Sequence, residues 1–222
     1  MAEIPRLMIA APYSGAGKTT ITLALLSAFI KYGLSPVAFK CGPDYIDPMF
    51  HREVLGVPSY NLDLFFTDEN IVRGLLCQHG AGHDIAVVEG VMGYYDGVDG
   101  GEWASSYQLA QKTQTPAVMV LPARGASLSL AALAKGFAEF RKPSGIVGVL
   151  LNGCSESFYS RFKETLEKET GLLVLGYLPR LTQCAIRNRH LGLVTPEEIT
   201  GLKQKLVQLG EQAAGSIDIH KL

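Results

Sequence analysis

The stretch Ala11-Pro12-Tyr13-Ser14-Gly15-Ala16-Gly17-Lys18-Thr19-Thr20 decides the fold. A β-like run, Arg6 to Ala10, leads into it, and a helical run, Ile21 to Tyr32, leads out. Gly15 and Gly17 let backbone N–H groups turn inward on a polyphosphate, with Ser14, Ala16 and Thr20 completing the turn, and Lys18 reaches the outer oxygens. Thr19 offers a hydroxyl to Mg2+, and the new helix points its positive end at the same charge. The pattern is G-x-x-x-x-G-K-[ST] with one departure, Pro12 in place of the first glycine. An ordinary Gly-rich turn would not require Gly-Lys-Thr-Thr between a strand and a helix. The stretch reads as a P-loop that binds a nucleoside triphosphate.

Outward from this loop, apolar and β-branched runs alternate with helical patterns. Strands are predicted at Leu7–Ala11, Pro36–Lys40, Ile85–Glu89, Ala117–Leu121, Ile146–Leu151 and Leu172–Leu178. Helices are predicted near 18–32, 68–79, 103–113, 127–141, 156–169 and 196–213. In the first helix Ile21, Leu25, Leu26, Phe29 and Tyr32 form an apolar stripe, and Gly33 ends it. This alternation implies a three-layer α/β fold, a mostly parallel central sheet with helices on both faces, in one domain over residues 1–222. In such a sheet ligands bind beyond the carboxyl ends of the strands. Ser14–Thr19, Lys40–Asp47, Glu89–Asp99, Arg124, Asn152 and Arg180 are therefore expected to share one site.

The residues at those ends carry the chemistry. Asp84 to Gly90 reads as a buried strand with Glu89 at its exit, the place of an acid that organises Mg2+ beside a P-loop. The loop from Gly90 to Gly101 is long and glycine-rich, and its tyrosines suggest a flexible wall around an organic substrate. The second strand exits into Lys40-Cys41-Gly42-Pro43-Asp44-Tyr45-Ile46-Asp47-Pro48. Asp47 before Pro48 has the form of a helix N-cap followed by the first helical residue. Asp44 has no such duty and is the better candidate to meet Mg2+ or substrate. Lys40 can neutralise charge developing on a transferred phosphoryl group. Asp63, after Asn61 and Leu62, is a further acidic candidate. No serine or cysteine sits in a nucleophile elbow, so these residues imply direct phosphoryl transfer or a nucleotide switch and leave both open.

Composition narrows the class. Of 222 residues, 47% are hydrophobic, enough for a sizeable core, and no apolar run reaches membrane-spanning length. The first residues, Met1 to Pro5, lack the basic and apolar regions of a signal peptide. A net charge of −1 gives no electrostatic basis for binding nucleic acid or an anionic membrane. Cys41, Cys77, Cys154 and Cys184 lie far apart, which suits thiols in a reducing cytoplasm better than a disulfide or zinc framework. His79 and His83 are four apart, but Gly80 and Gly82 break the helix that would align them on a metal.

The tract from Lys40 to His51, Lys-Cys-Gly-Pro-Asp-Tyr-Ile-Asp-Pro-Met-Phe-His, resembles the signature of the cobyrinic acid a,c-diamide synthase family. Four further stretches match in order: the P-loop with its Ala-Pro entry, Asn61-Leu62-Asp63, Glu89 to Gly97, and Arg189-His-Leu-Gly-Leu193. The resemblance implies ATP-dependent amidation of the a and c side-chain carboxylates of a corrin-type tetrapyrrole in cobalamin biosynthesis. ATP would phosphorylate a carboxylate, and ammonia would displace phosphate from the acyl phosphate. By position, Lys18 and Lys40 would hold ATP phosphates and carry catalysis with Asp44, while Thr19, Asp44 and Glu89 would organise Mg2+. Tyr45, Asp47, Asp63, Tyr94, Tyr95 and Asp96 would face the macrocycle. Asn152 resembles the adenine-reading asparagine of the related dethiobiotin synthetases.

Two departures qualify the resemblance. Pro122 stands where the family usually carries an acidic residue, in a Val-Asp-Ala-Arg-like run. Whole family members are about twice this length, beyond the usual single domain, and their second half resembles class I glutamine amidotransferases. The resemblance thus implies the synthetase half alone, using free ammonia or ammonia from a separate glutaminase; a homodimer is compatible with it. Nickel-sirohydrochlorin a,c-diamide synthases share these motifs. Partition and septum-positioning ATPases, which are switches, share the loop but carry an extra lysine where this chain has Tyr13.

Overall fold

The computed structural model describes residues 4–180 and 196–222. Seven strands form one sheet: β1 (Arg6–Ala10), β2 (Pro36–Cys41), β3 (Ser59–Leu62), β4 (Ile85–Glu89), β5 (Ala117–Pro122), β6 (Ile146–Asn152) and β7 (Leu173–Leu178). Their order is β3-β2-β4-β1-β5-β6-β7, and every pairing is parallel. All carboxyl ends therefore lie on one edge. The helices are α1 (Lys18–Lys31), α2 (Ile46–Leu55), α3 (Glu69–Gly80), α4 (Ser106–Thr113), α5 (Leu128–Phe140), α6 (Glu156–Thr170) and α7 (Pro196–Ser216). The Arg189–Leu193 motif and Cys184 lie outside the described residues.

Burial on both faces explains the unbroken apolar strands. Every residue of β2 and β4 is buried. In β1, Leu7 and Ile9 join the core beneath α1, α2 and α7, while Met8 and Ala10 join the core beneath α3, α4, α5 and α6. This is the period-2 alternation of a strand, with apolar layers on both sides. The sheet thus has the three-layer α/β architecture expected of it.

The stripe in α1 is there: Ile21, Leu25, Leu26 and Phe29 are fully buried, although Tyr32 is half-exposed. Leu23, Ala24 and Ala28, outside the stripe, are equally buried because Leu206, Leu209 and Ala213 of α7 cover the outer side. Gly33 follows the helix at φ 77°, the left-handed stop that glycine makes easily.

Two elements differ from the sequence expectation. The strand β3 is only four residues, with Ser59 and Leu62 buried and Tyr60 and Asn61 exposed, too short to announce itself. The helix α2 fills the tract after β2 and begins at Ile46, so Asp47 lies in its first turn and is not its N-cap. Pro48 is accommodated there because the first-turn N–H it lacks would have no intrahelical acceptor.

Candidate active site

The loop between β1 and α1 is held in phosphate-binding form by its glycines and by Asn152. Gly15 and Gly17 have φ of 85° and 107°, a region that side-chain-bearing residues rarely adopt. A Cβ on Gly17 would lie 2.0 Å from Asn152 Nδ2. That close approach lets the Asn152 amide donate to the Ala16 carbonyl at 3.0 Å, tying the end of β6 to the loop. Lys18 is buried, and its ammonium donates to the carbonyl oxygen of Met92 in the loop after β4. Burial lowers its pKa, partly offset by the Glu89 carboxylate.

Beside Lys18, the ends of β2 and β4 and the first turns of α1 and α2 build a charged cluster. Glu89 is fully buried; its Oε1 accepts from Thr19 Oγ1 at 2.6 Å and from Lys40 Nζ at 2.9 Å. Lys40 also donates to Asp47 Oδ2 at 2.5 Å and lies 3.8 Å from Asp44 Oδ2. Burial opposes the Lys40 charge, but Glu89 and Asp47 outweigh it and hold the ammonium above its ordinary pKa. Asp47 is pushed up by burial and by the Glu89 charge, against the pull of Lys40. Register explains the pairing, because Lys40 and Glu89 are directly opposite on adjacent parallel strands.

One turn along α2 from Asp47, His51 points into the same cluster. It is fully buried; its Nδ1 meets Ser59 Oγ at 2.9 Å, and its Nε2 stands 3.9 Å from Glu89 Oε2. Burial pulls its pKa down to about 4, so the ring is neutral at pH 7. Neither His51 Nε2 nor Glu89 Oε2 has a hydrogen-bond partner. Among the described residues no three His, Cys, Asp or Glu side chains form a ready metal cage. A hydroxyl and a buried carboxylate with a free oxygen nevertheless fit Mg2+, which takes few protein ligands and retains water.

Several expectations need correction. The capping oxygen of α2 comes from Asp44 rather than Asp47, since Asp44 Oδ1 accepts from the N–H groups of Ile46 at 2.8 Å and Asp47 at 3.4 Å. Tyr94 is fully buried and its hydroxyl donates to the Ser144 carbonyl at 2.7 Å, so it is a core residue and cannot face a substrate. Tyr95 is half-buried, with its hydroxyl on the Phe137 carbonyl at 2.7 Å. The loop they occupy is tied down as well. Tyr94 N–H donates to Ala11 at 2.9 Å, Gly93 N–H to Asp96 Oδ2 at 3.0 Å, and Val91 N–H to Ser106 Oγ at 2.8 Å. Asp63 Oδ1 accepts from Phe65 N–H at 2.8 Å and shapes the turn after β3.

The remaining candidates lie at the carboxyl edge. Ser14, Tyr45, Asp96, Arg124 and Arg180 are exposed, or nearly so, and Thr20 is half-buried in the first turn of α1. Cys41, Cys77 and Cys154 are free thiols.

Residues 7–192 match the model of the CobQ/CobB/MinD/ParA nucleotide-binding domain. The chain belongs to that family. Within the CobQ/CobB/MinD/ParA family, its relatives include a cobyrinate a,c-diamide synthase of Listeria monocytogenes serotype 4b, 42% identical over 98% of this chain and 49% of that protein. The synthase of the same name from Gloeobacter violaceus is 42% identical over 97% of this chain and 48% of its own length. That of Thermoplasma acidophilum is 37% identical over 99% and 49%. The chain therefore spans about half the length of the curated relatives it matches. Among solved structures, the MinC:MinD cell division protein complex of Aquifex aeolicus superposes with a TM-score of 0.55 at 13% identity, covering 95% of this chain and 96% of that one. The signal recognition particle receptor FtsY of Elizabethkingia anophelis gives 0.60 at 13% identity, covering 93% and 66%. These likenesses carry the fold.

In this family member, sequence reasoning missed His51, Ser59 and the Met92 carbonyl. His51 was detectable from its spacing of four from Asp47, once both are placed on one helix. The Met92 carbonyl leaves no signal in side-chain chemistry.

Proposed function

We propose that these 222 residues are the synthetase half of a cobyrinate a,c-diamide synthase. They would amidate the a and c side-chain carboxylates of cobyrinic acid, using ATP, Mg2+ and ammonia. The observation that carries this reading is the near-complete coverage of the chain by relatives of that name at 37–42% identity. The site supports it, since one buried cluster joins the P-loop, the Lys40–His51 tract and Glu89.

The residues divide the work by position. Backbone N–H groups from Ser14 to Thr20 and the Lys18 ammonium bind the ATP phosphates, whose oxygens replace the Met92 carbonyl as acceptors. Asn152 stands at the loop to read adenine. Thr19 and Glu89 hold Mg2+, with Asp44 as a further ligand; when bound, the ion neutralises phosphate charge. Lys40 adds positive charge to a floor otherwise rich in carboxylates and keeps Glu89 and Asp47 together. A substrate carboxylate oxygen attacks the γ-phosphorus and ADP leaves. Ammonia then attacks the acyl carbon, phosphate leaves with the carboxylate oxygen, and a proton is released. Tyr45, Asp47 and Asp96 surround the macrocycle side. A glutaminase as ammonia source, a homodimer and a cytoplasmic location belong to this proposal; no described helix is long and apolar enough to cross a membrane.

The test is incubation of the purified chain with Mg-ATP, ammonium and cobyrinic acid, following ADP and product mass together. One ADP per amide is expected. ATP binding without amide formation, or amidation of nickel-sirohydrochlorin in preference, overturns the substrate assignment.

A further inference from the structure

Large apolar side chains are exposed at the carboxyl edge. Phe65 and Phe66 follow β3 and are 45% and 71% exposed; Trp103, in the loop after β4, is 50% exposed. Phe65 bridges the other two rings, edge-on to Phe66 at a centroid distance of 4.9 Å and tilted against Trp103 at 5.2 Å. Two loops from different strands thus contribute to one continuous aromatic surface, the kind of patch that marks a binding site. Both loops are fixed from below. The Asp63 carboxylate shapes the Phe65–Phe66 turn, and Trp103 accepts from Val98 N–H through its carbonyl at 2.9 Å.

The patch is linked to the phosphate loop by close backbone contacts. A Cβ on Gly97 would lie 2.2 Å from the Trp103 carbonyl oxygen, and one on Gly93 would lie 2.5 Å from the Pro12 carbonyl oxygen. The same loop supplies the Met92 carbonyl to Lys18. Beside Trp103, Glu102 pairs with Arg141 at the end of α5 at 3.1 Å, which anchors the loop.

We propose that Phe65, Phe66 and Trp103 form the platform on which the flat face of a polycarboxylated macrocycle lies. This rests on the macrocyclic substrate proposed above. The floor of the site sets Lys18 and Lys40 against Asp44, Asp47 and Glu89, so it offers no excess positive charge to a polyacid. Apolar stacking on the rings provides attraction without charge.

The experiment measures binding of cobyrinic acid by equilibrium dialysis, read by its own absorbance, to the parent chain and to Phe66→Ala, Trp103→Ala, Trp103→Phe and Val207→Ala. The expected result is at least tenfold weaker binding for the two ring-to-alanine variants, recovery in Trp103→Phe, and no change in Val207→Ala, an exposed apolar residue on α7. ATP affinity stays within twofold in all of them. Macrocycle affinities of Phe66→Ala and Trp103→Ala within twofold of a binding parent overturn the platform alone. Absence of binding by the parent overturns the substrate assignment and the platform with it. Self-association in sedimentation velocity that Phe66→Ala abolishes, with macrocycle affinity unchanged, makes the face an interface between copies and also overturns the platform.

Discussion

Gly17 shows how tightly single residues are specified here. Its φ of 107° disfavours any side chain, and a Cβ would collide with Asn152 Nδ2 at 2.0 Å. Gly17→Ala should lose about 1–2 kcal/mol from the backbone alone and weaken ATP binding at least tenfold, as measured by calorimetric titration. His51 makes a second prediction. Its folded pKa of about 4 lies below the ordinary 6.5, so the unfolded chain binds more protons between those values. Its contribution is full above pH 6.5 and is lost as pH falls toward 4, by about 3 kcal/mol at most. Asp47, shifted up, acts in the opposite sense, so the comparison must be with a variant. In metal-free buffer, urea unfolding of His51→Gln should show a flatter loss of stability from pH 6.5 to 4.5 than the parent. The P-loop residues and Glu89 were legible because their chemistry needs fixed types at fixed spacing. Tyr94 misled because a tyrosine in a glycine-rich loop looks exposed, whereas here its ring fills the core and its hydroxyl finds a backbone acceptor.

Among the elements, α7 packs along α1, the helix that begins at Lys18. Gly210 of α7 sits directly on α1: a Cβ there would lie 2.6 Å from Ser27 Cβ and 3.0 Å from its backbone carbonyl carbon. Gly210→Val should push the helices apart and destabilise the fold by about 2 kcal/mol, read as a lower urea midpoint with an unchanged slope. Six strands and the helices flanking them were legible, because apolar runs buried on both faces cannot be mistaken for loops. Strand β3 was not, since four residues of mixed burial carry no period. Helix α2 was legible only as a start, and that start was misplaced: Asp47-Pro48 looks like a cap and first residue, but the chain is already helical at Ile46 and Asp44 supplies the capping oxygen.

At the scale of the whole molecule, the parallel sheet brings the exit loops of its strands to one edge, and the site is their sum. The matched relatives are about twice as long as this chain, so the division of labour proposed above is testable with the chain alone. Ammonium should support amidation of cobyrinic acid, and glutamine at equal concentration should not, as measured by product mass. Equal turnover with glutamine would contradict the proposed ammonia dependence. The most direct test of carboxylate activation uses cobyrinic acid labelled with 18O in its carboxylates, incubated with Mg-ATP and ammonium in unlabelled water. The expected result is one 18O atom in the phosphate released for each amide formed, because the attacked γ-phosphorus keeps the carboxylate oxygen. Amide formation with unlabelled phosphate would contradict an acyl-phosphate route and the central role given to this site.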